Sequence, residues 1–425
     1  MPSILLSFVG QQDPVSDHTR EDGSIVSLLR HLMAEHNSIK RVILLYTSGP
    51  NGTQDRAELT QDWLVDEPCA FPKDTIELIS AGNGLSEDPI DLRLAVRAAR
   101  QGLDTALAVA TTQDTLEFNA SSGTPVMKSA WGILQAAGYA PKSRLWQVRN
   151  PKEQRPGQVR VFQTNVQALR QEFDLNIIQQ QLRDYNYSGA LTTLNASGLA
   201  TPTLTALLRY GHCRLCLDFG QAKAAITPVA KDIAPEWMQE ILSLCQNEPP
   251  MLLREAYLNA VIELKNQKFS DFLVRVSQFQ EKALELLVSQ QLAGQPQLPK
   301  AYRETLEFWL ALKTAHPELY SFLQHATFKG TPLRLDGFPN RPTLLACLEF
   351  GQSPILEPLQ ALNSFCEQRN NYIHKFVGIS ELADIAPILD AIRQVLAYGG
   401  QTNPRDNPFN RLNQAILQQL RPSLG

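Results

Sequence analysis

The chain has 425 residues, 43% of them hydrophobic, with a formal net charge of −4 and a pI near 6.0. That length exceeds what one hydrophobic core normally organises, so two or three domains are expected, and the acidic balance excludes a non-specific nucleic-acid coat and stable DNA binding while leaving room for a local basic cleft. No stretch approaches the roughly 18 consecutive apolar residues of a membrane helix, "MPSILLSFVG" lacks a basic n-region, and the six scattered cysteines read as reduced thiols, so a cytoplasmic protein without a membrane partner is expected.

Residues 1–165 alternate strand-like and helix-like segments. Apolar runs at Ser3–Val9 and Arg41–Thr47 ("RVILLYT"), with shorter ones at Thr75–Ser80 and Thr115–Asn119, suit strands buried on both faces of a parallel sheet. Helical periodicity falls at Ser24–Glu35, Thr53–Leu64 and Ile90 to about Thr111. The run "DTALAVA" (104–110) reads equally as the end of that last helix or as a strand. "SRLWQVRN" and "QVRVFQT" flank a Pro/Lys-rich turn at Pro151–Pro156. Such alternation predicts a doubly wound, Rossmann-like sheet. From Val166 onward the apolar spacing is helical, with breaks at Pro249-Pro250, Gly294–Pro299, Gly330–Pro342 and Gly399–Pro408, so the fold class is α/β followed by all-α.

In a doubly wound sheet, ligands bind where the βα loops gather. Those loops read "VGQQDP", "TSGPNG", "SAGNG" and "NASSGTP", each small and rich in hydroxyl or amide groups. In the last, Thr124 is an N-cap and Pro125 an N1 residue opening the helix "PVMKSAWGILQAAG". Ser121, Ser122 and Gly123 then face the positive end of that helix, an arrangement suited to anions. Neither G-x-G-x-x-G nor a Walker motif is present.

"NASSGTPVM" resembles the Asn–small–Ser–Gly–Thr–x–x–Met signature of CARF domains, and "VGQQDP…EDGSIVSLLRHL" resembles the start of the type III CRISPR-associated ribonucleases that pair a CARF with a HEPN domain. "RDYNYSGAL" and "FSDFLVRVSQFQEKAL" also resemble that family's helical segments. The resemblance implies a CARF-like ligand-sensing domain at 1–165, a helical connecting domain at 166–262 and a HEPN-like helical domain at 263–425. It implies a homodimer that binds cyclic oligoadenylate, tetra- or hexa-adenylate, as allosteric activator, with no other cofactor. Gly10, Gln11, Asp13, Thr47, Ser48, Asn83, Asn119, Ser121, Ser122, Gly123 and Thr124 would line that site by position, through neutral donors and helix N-termini. Some relatives also cleave their activator, and Asn119 and Thr124 are then the residues nominated.

Residues 354–377 read as a helix carrying "RNNYIH". Asn370 and His374 share a face at i, i+4, whereas Arg369, five residues before His374, points about 140° away. A second helix is the simplest source of partners. The family resemblance extends here to the Arg–polar–x–x–x–His pattern of HEPN ribonucleases, and implies a composite site from two such helices. Single-stranded RNA is then cleaved without metal, leaving a 2′,3′-cyclic phosphate and a 5′-OH. His374 suits proton transfer near neutrality, Arg369 suits a bidentate hold on phosphate, and Asn370 suits orienting the histidine or the phosphate. Two alternatives stand beside this reading: a CARF sensor whose helices only bind partners, and a stand-alone ring nuclease. His212-Cys213-x-x-Cys216 lacks the four ligands of a zinc site and reads as buried thiols. Trp131, Trp146, Trp237 and Trp309 read as core.

Overall fold

The computed structural model describes residues 2–17, 19–66, 70–363, 365–366, 381–382, 385–399 and 406–420. The chain divides into two compact units, Met1–Asp174 and Leu175–Gly425.

The first unit is built on strands β1 (Pro2–Phe8), β2 (Ser38–Tyr46), β3 (Ile76–Ser80), β4 (Thr115–Asn119), β5 (Ser143–Val148) and β6 (Val161–Thr164). They lie in the order β3-β2-β1-β4-β5-β6; the first five pair in parallel and β6 runs antiparallel to β5. Successive residues of a strand point to opposite faces, and the apolar runs feed two separate cores. Ile4, Leu6, Phe8, Ile43, Leu45 and Phe118 pack on one face against α4 (Leu92–Val109) and α5 (Pro125–Ala136). Leu5, Val9, Val42 and Leu44 pack on the other face against α1 (Ser24–Ala34) and α2 (Gln54–Val65). A short helix, α3 (Asn83–Glu87), follows β3. The ambiguous run at 104–110 is helical through Val109, because Leu103 and Ala106 continue the buried stripe of α4. Trp131 stacks on Phe118 with ring centroids 5.1 Å apart. Mid-sheet, the buried Glu117 accepts hydrogen bonds from Arg144, the Trp146 indole and Ser3, so that carboxylate is fully occupied inside the fold.

The order of strands reverses between β1 and β4: β2 and β3 lie on one side of β1, and β4 to β6 on the other. Ser7 and Asn119 are register partners at the carboxyl ends of these two strands. A crevice therefore opens above them, lined by the loops after β1 and β4.

The division between the units falls inside the helix Gln167–Arg183. The second unit is helical apart from the two-residue strands Thr327–Phe328 and Thr331–Pro332. Its helices start where the sequence offers caps: Asn186, Thr201, Asp218 and Asn340 each accept a backbone N–H with their side chains. The Pro249-Pro250 pair opens the helix Pro249–Lys265 at its first turn; the break at Gly294–Pro299 falls between helices, that at Gly330–Pro342 runs into the first turn of the helix Arg341–Phe350, and residues 400–405 of the last lie outside the described residues. A single apolar core runs from Leu175 to Leu420. All four tryptophans expected in the core are buried. Cys213 is half-buried and Cys216 exposed at the end of the helix Pro202–Leu215, so the thiol pair is not sealed in a core as expected. The helix end brings Cys216 to the surface. The expected helix at 354–377 is seen as Leu356–Ala361, and most of the remainder lies outside the described residues. No described helix is long and apolar enough to cross a membrane.

Arg214 is the most buried charge among the described residues of this unit, at 1% exposure. Its guanidinium donates to both oxygens of Glu255 at 2.8 Å, to Glu240 at 2.8 Å and to the Tyr210 hydroxyl at 2.6 Å. Glu240 in turn accepts from Arg411 on the helix Pro408–Leu420. A buried pair of this kind holds only while both signs are present. Arg214→Ala should therefore lower the stability of the helical unit by roughly 3–5 kcal/mol, because the Glu255 carboxylate loses its partner in the interior while Glu240 keeps only Arg411. The Arg214→Met, Glu255→Met double variant should recover part of that loss. Urea unfolding of the full chain measures both, and a single variant as stable as wild type would refute the assignment.

Candidate functional site

The loop after β1 is organised around one carboxylate. Asp13 is 2% exposed. One of its oxygens accepts the Gly10 N–H at 3.0 Å and the Ser122 hydroxyl, and the other accepts the Ile25 N–H at 3.2 Å. Asp13 thus caps the first turn of α1 and ties it to the loops after β1 and β4. Gly23 is required beside it, since a Cβ there would lie 2.5 Å from the Asp13 carboxylate. Burial raises the Asp13 pKa above the ordinary value of 3.8, with the bonds from Ser122, Gly10, Ile25 and Ser24 pulling it back.

Asn119 is fully buried at the end of β4. Its amide donates to Ser7 Oγ at 3.0 Å and Ser24 Oγ at 3.1 Å, and its carbonyl oxygen accepts the Ser121 N–H at 3.0 Å. Ser121 Oγ accepts the Val148 N–H, tying the loop to β5. Gly123 sits at φ +90° and brings its backbone against Phe8 and Met127; only glycine adopts that conformation without strain. Thr124 opens α5, but its hydroxyl donates to the Pro89 carbonyl at 2.8 Å.

The other nominated residues lie on the β2 and β3 side. Gln11 is exposed and its amide donates to the Gly52 carbonyl at 3.0 Å. Thr47 is buried, with its N–H given to Thr53 Oγ1. Ser48 donates its N–H to Ser86 Oγ at 2.8 Å. Asn83 is exposed at the start of α3. The nominated loops are thus brought together at the carboxyl edge of the sheet. Within that rim, Asp13 and Asn119 hold the loops, while Gln11 and Asn83 face outward. Arg369, Asn370 and His374 lie outside the described residues.

Beside the rim, on the β4–β5–β6 side, lies a cavity of about 880 Å³. Gly23, Ser24, Ala120 and Ser121 line it at the switch point, with Gln12, Thr19 and Asp22 from the loop after β1, Lys128 from α5 and the β5–β6 hairpin around them. Five cations face it: Lys128, Arg149, Lys152, Arg155 and Arg160, against the carboxylates of Asp22 and Glu153. Arg149 lies over the Phe162 ring at 3.9 Å. Arg160 pairs with Glu21 at 2.9 Å, while its Nε is a buried donor with no partner among the described residues. Sequence reasoning missed these residues. Their signal was the stretch "RNPKEQRPGQVR", with four cations in one hairpin, read there only as a turn.

No protein-family model and no curated protein matches the chain. Among solved structures, Csm6 of Enterococcus italicus bound to cyclic hexa-2′-fluoro-hexa-dAMP is similar, with a TM-score of 0.66 and 17% identity, covering 98% of this chain and 99% of that one. The chain has the Csm6 fold. The Csm6-like architecture takes in both units, the parallel sheet with its switch point and the helices that follow, as the motif resemblance implied.

The raised pKa of Asp13 sets the sign of a pH effect. Its neutral form is favoured in the folded state, so this contribution is complete below the unfolded value and is lost as pH rises through the folded value. Wild type should therefore lose stability relative to Asp13→Asn as pH rises from about 4 toward neutrality. Urea midpoints of the two proteins across that range test this. A difference independent of pH would show that Asp13 does not titrate as its burial requires.

Proposed function

We propose that the chain is a type III CRISPR-associated CARF–HEPN ribonuclease, a homodimer that cleaves single-stranded RNA when cyclic oligoadenylate is bound. The observation that carries this is a Csm6 fold covering 98% of the chain, on a sequence whose helical half holds "RNNYIH" at 369–374. The similar solved structure has a cyclic hexanucleotide analogue bound, which supports a cyclic oligoadenylate as the ligand here. In this reading, residues 1–165 sense the ligand, 166–262 connect and 263–425 form the HEPN-like domain. The ligand sits over the strand-end loops that carry Gly10, Gln11, Thr47, Ser48, Asn83 and Ser121 to Thr124.

Two Arg369–His374 helices, one per protomer, supply the composite site. The 2′-OH of the RNA attacks the adjacent phosphate, the 5′-oxygen of the following nucleotide leaves, and a 2′,3′-cyclic phosphate and a 5′-OH result. His374 takes or gives the proton, Arg369 neutralises charge on the phosphoryl oxygens, and Asn370 orients the histidine or the phosphate. No step requires a metal. The ligand acts by binding the cutting-competent arrangement better than the resting one. Self-cleavage of the activator through Asn119 is less favoured, because both hydrogens of its amide are already donated within the fold.

Fluorescent single-stranded RNA incubated in EDTA, with and without cyclic tetra- or hexa-adenylate, tests the proposal. Cleavage should depend on one of the rings, and His374→Ala should lower it by about a hundredfold or more. Intact ring bound without RNA cleavage would favour a sensor. Ring linearised by His374→Ala, with RNA untouched even by wild type, would favour a stand-alone ring nuclease.

A further inference from the structure

We infer that the β5–β6 hairpin forms a cationic wall that holds phosphates of the bound nucleotide ring, with Lys152 and Arg155 as its principal contacts and Lys128 opposite them on α5. The inference rests on the activator being a cyclic oligoadenylate. It goes further by placing the charge-bearing half of the site on a hairpin outside all the strand-end loops nominated from the sequence.

Three observations carry it. The first is electrostatic: five cations line the cavity against two carboxylates, in a chain whose net charge is −4. A concave surface with one dominant sign focuses its field on an incoming anion. The second is availability. Lys152 and Arg155 are exposed and Lys128 half-buried, and none of the three makes an ion pair or side-chain hydrogen bond among the described residues.

The third is preorganisation and size. Arg149 is fixed by stacking on Phe162 and by donating to the Val159 carbonyl, so its guanidinium plane is held ready for a nucleobase face. A cavity of about 880 Å³ falls within the range of small-ligand sites. The cavity is continuous with Ser24, Ala120 and Ser121 at the switch point, so a ring over the strand ends reaches both surfaces. The N–H groups at the start of α1 contribute little, because Asp13 already occupies that of Ile25.

The test is binding of cyclic tetra- and hexa-adenylate to the full chain over a series of salt concentrations. Wild type should bind one of the rings with affinity that falls as salt rises. The Lys152→Ala, Arg155→Ala double variant should bind at least tenfold more weakly, on the order of one charge-assisted hydrogen bond. Its slope of log affinity against log salt should be shallower by about 1.4, from about 0.7 per phosphate contact on a single strand. Lys142→Ala, which removes one positive charge just before β5 and outside the cavity, should match wild type in affinity and slope. If wild type binds a ring and the double variant binds it equally with an unchanged slope, the hairpin assignment is overturned and the ligand reading stands. If wild type binds neither ring, the ligand reading itself falls, and the assignment with it.

Discussion

The carboxylate of Asp13 is the constraint on which the carboxyl edge of the sheet depends. It is buried, and it accepts from three directions: the loop after β1, the first turn of α1 and the loop after β4. These are the segments that border the crevice at the strand reversal. Without an acceptor there, the Gly10 and Ile25 N–H groups and the Ser122 hydroxyl would be left without this partner near the interior, each an unmade bond of about 1–3 kcal/mol. Asn119 repeats the device one strand over, joining Ser7, Ser24 and Ser121. The two residues make a rigid floor from loops that are individually short and glycine-rich.

The floor extends into a hydrogen-bonded rim. Gln11 reaches Gly52, Ser48 reaches Ser86, and Thr124 reaches Pro89, so the loops after β1, β2, β3 and β4 are cross-linked in pairs. A rim tied in this way does not deform one loop at a time. Its polar groups are largely committed to one another, which leaves the exposed Asn83, the second hydrogen and the oxygen of the Gln11 amide, and the neighbouring cationic cavity with capacity for a ligand. The functional contrast therefore runs between residues that build the site and residues that face out of it.

That contrast explains what was legible in the sequence. The sheet could be read because strands buried on both faces are apolar throughout, and Thr115–Asn119 matches β4 at both ends. The loops could be read because glycine and capping residues follow each strand. The role of Asp13 within its motif could not be read, since a carboxylate in a strand-end loop looks the same whether it faces a ligand or caps a helix. Only the position of Gly23, pressed against it, decides. The cationic wall was hidden for a different reason. Arg149, Lys152, Arg155 and Arg160 are spread through a turn, and their convergence depends on β6 folding back antiparallel on β5, which residue spacing alone does not show.

The acidic charge of the chain and the basic cavity are compatible, and together they sharpen selectivity. A net charge of −4 gives no general attraction for long nucleic acid, so a polyanion is favoured only where cations converge. In a two-fold dimer each protomer would offer the same wall, and a ring of identical nucleotide units can meet both with equivalent phosphates. The same symmetry answers the geometry of the helical half. On the helix proposed for "RNNYIH", Arg369 would lie about 140° from His374, and an isologous pair would then bring one chain's arginine toward the other's histidine. Under the proposed function, sensing and cutting would share one requirement, two copies of one chain, and a ligand that favours a particular pairing of the copies would act on both.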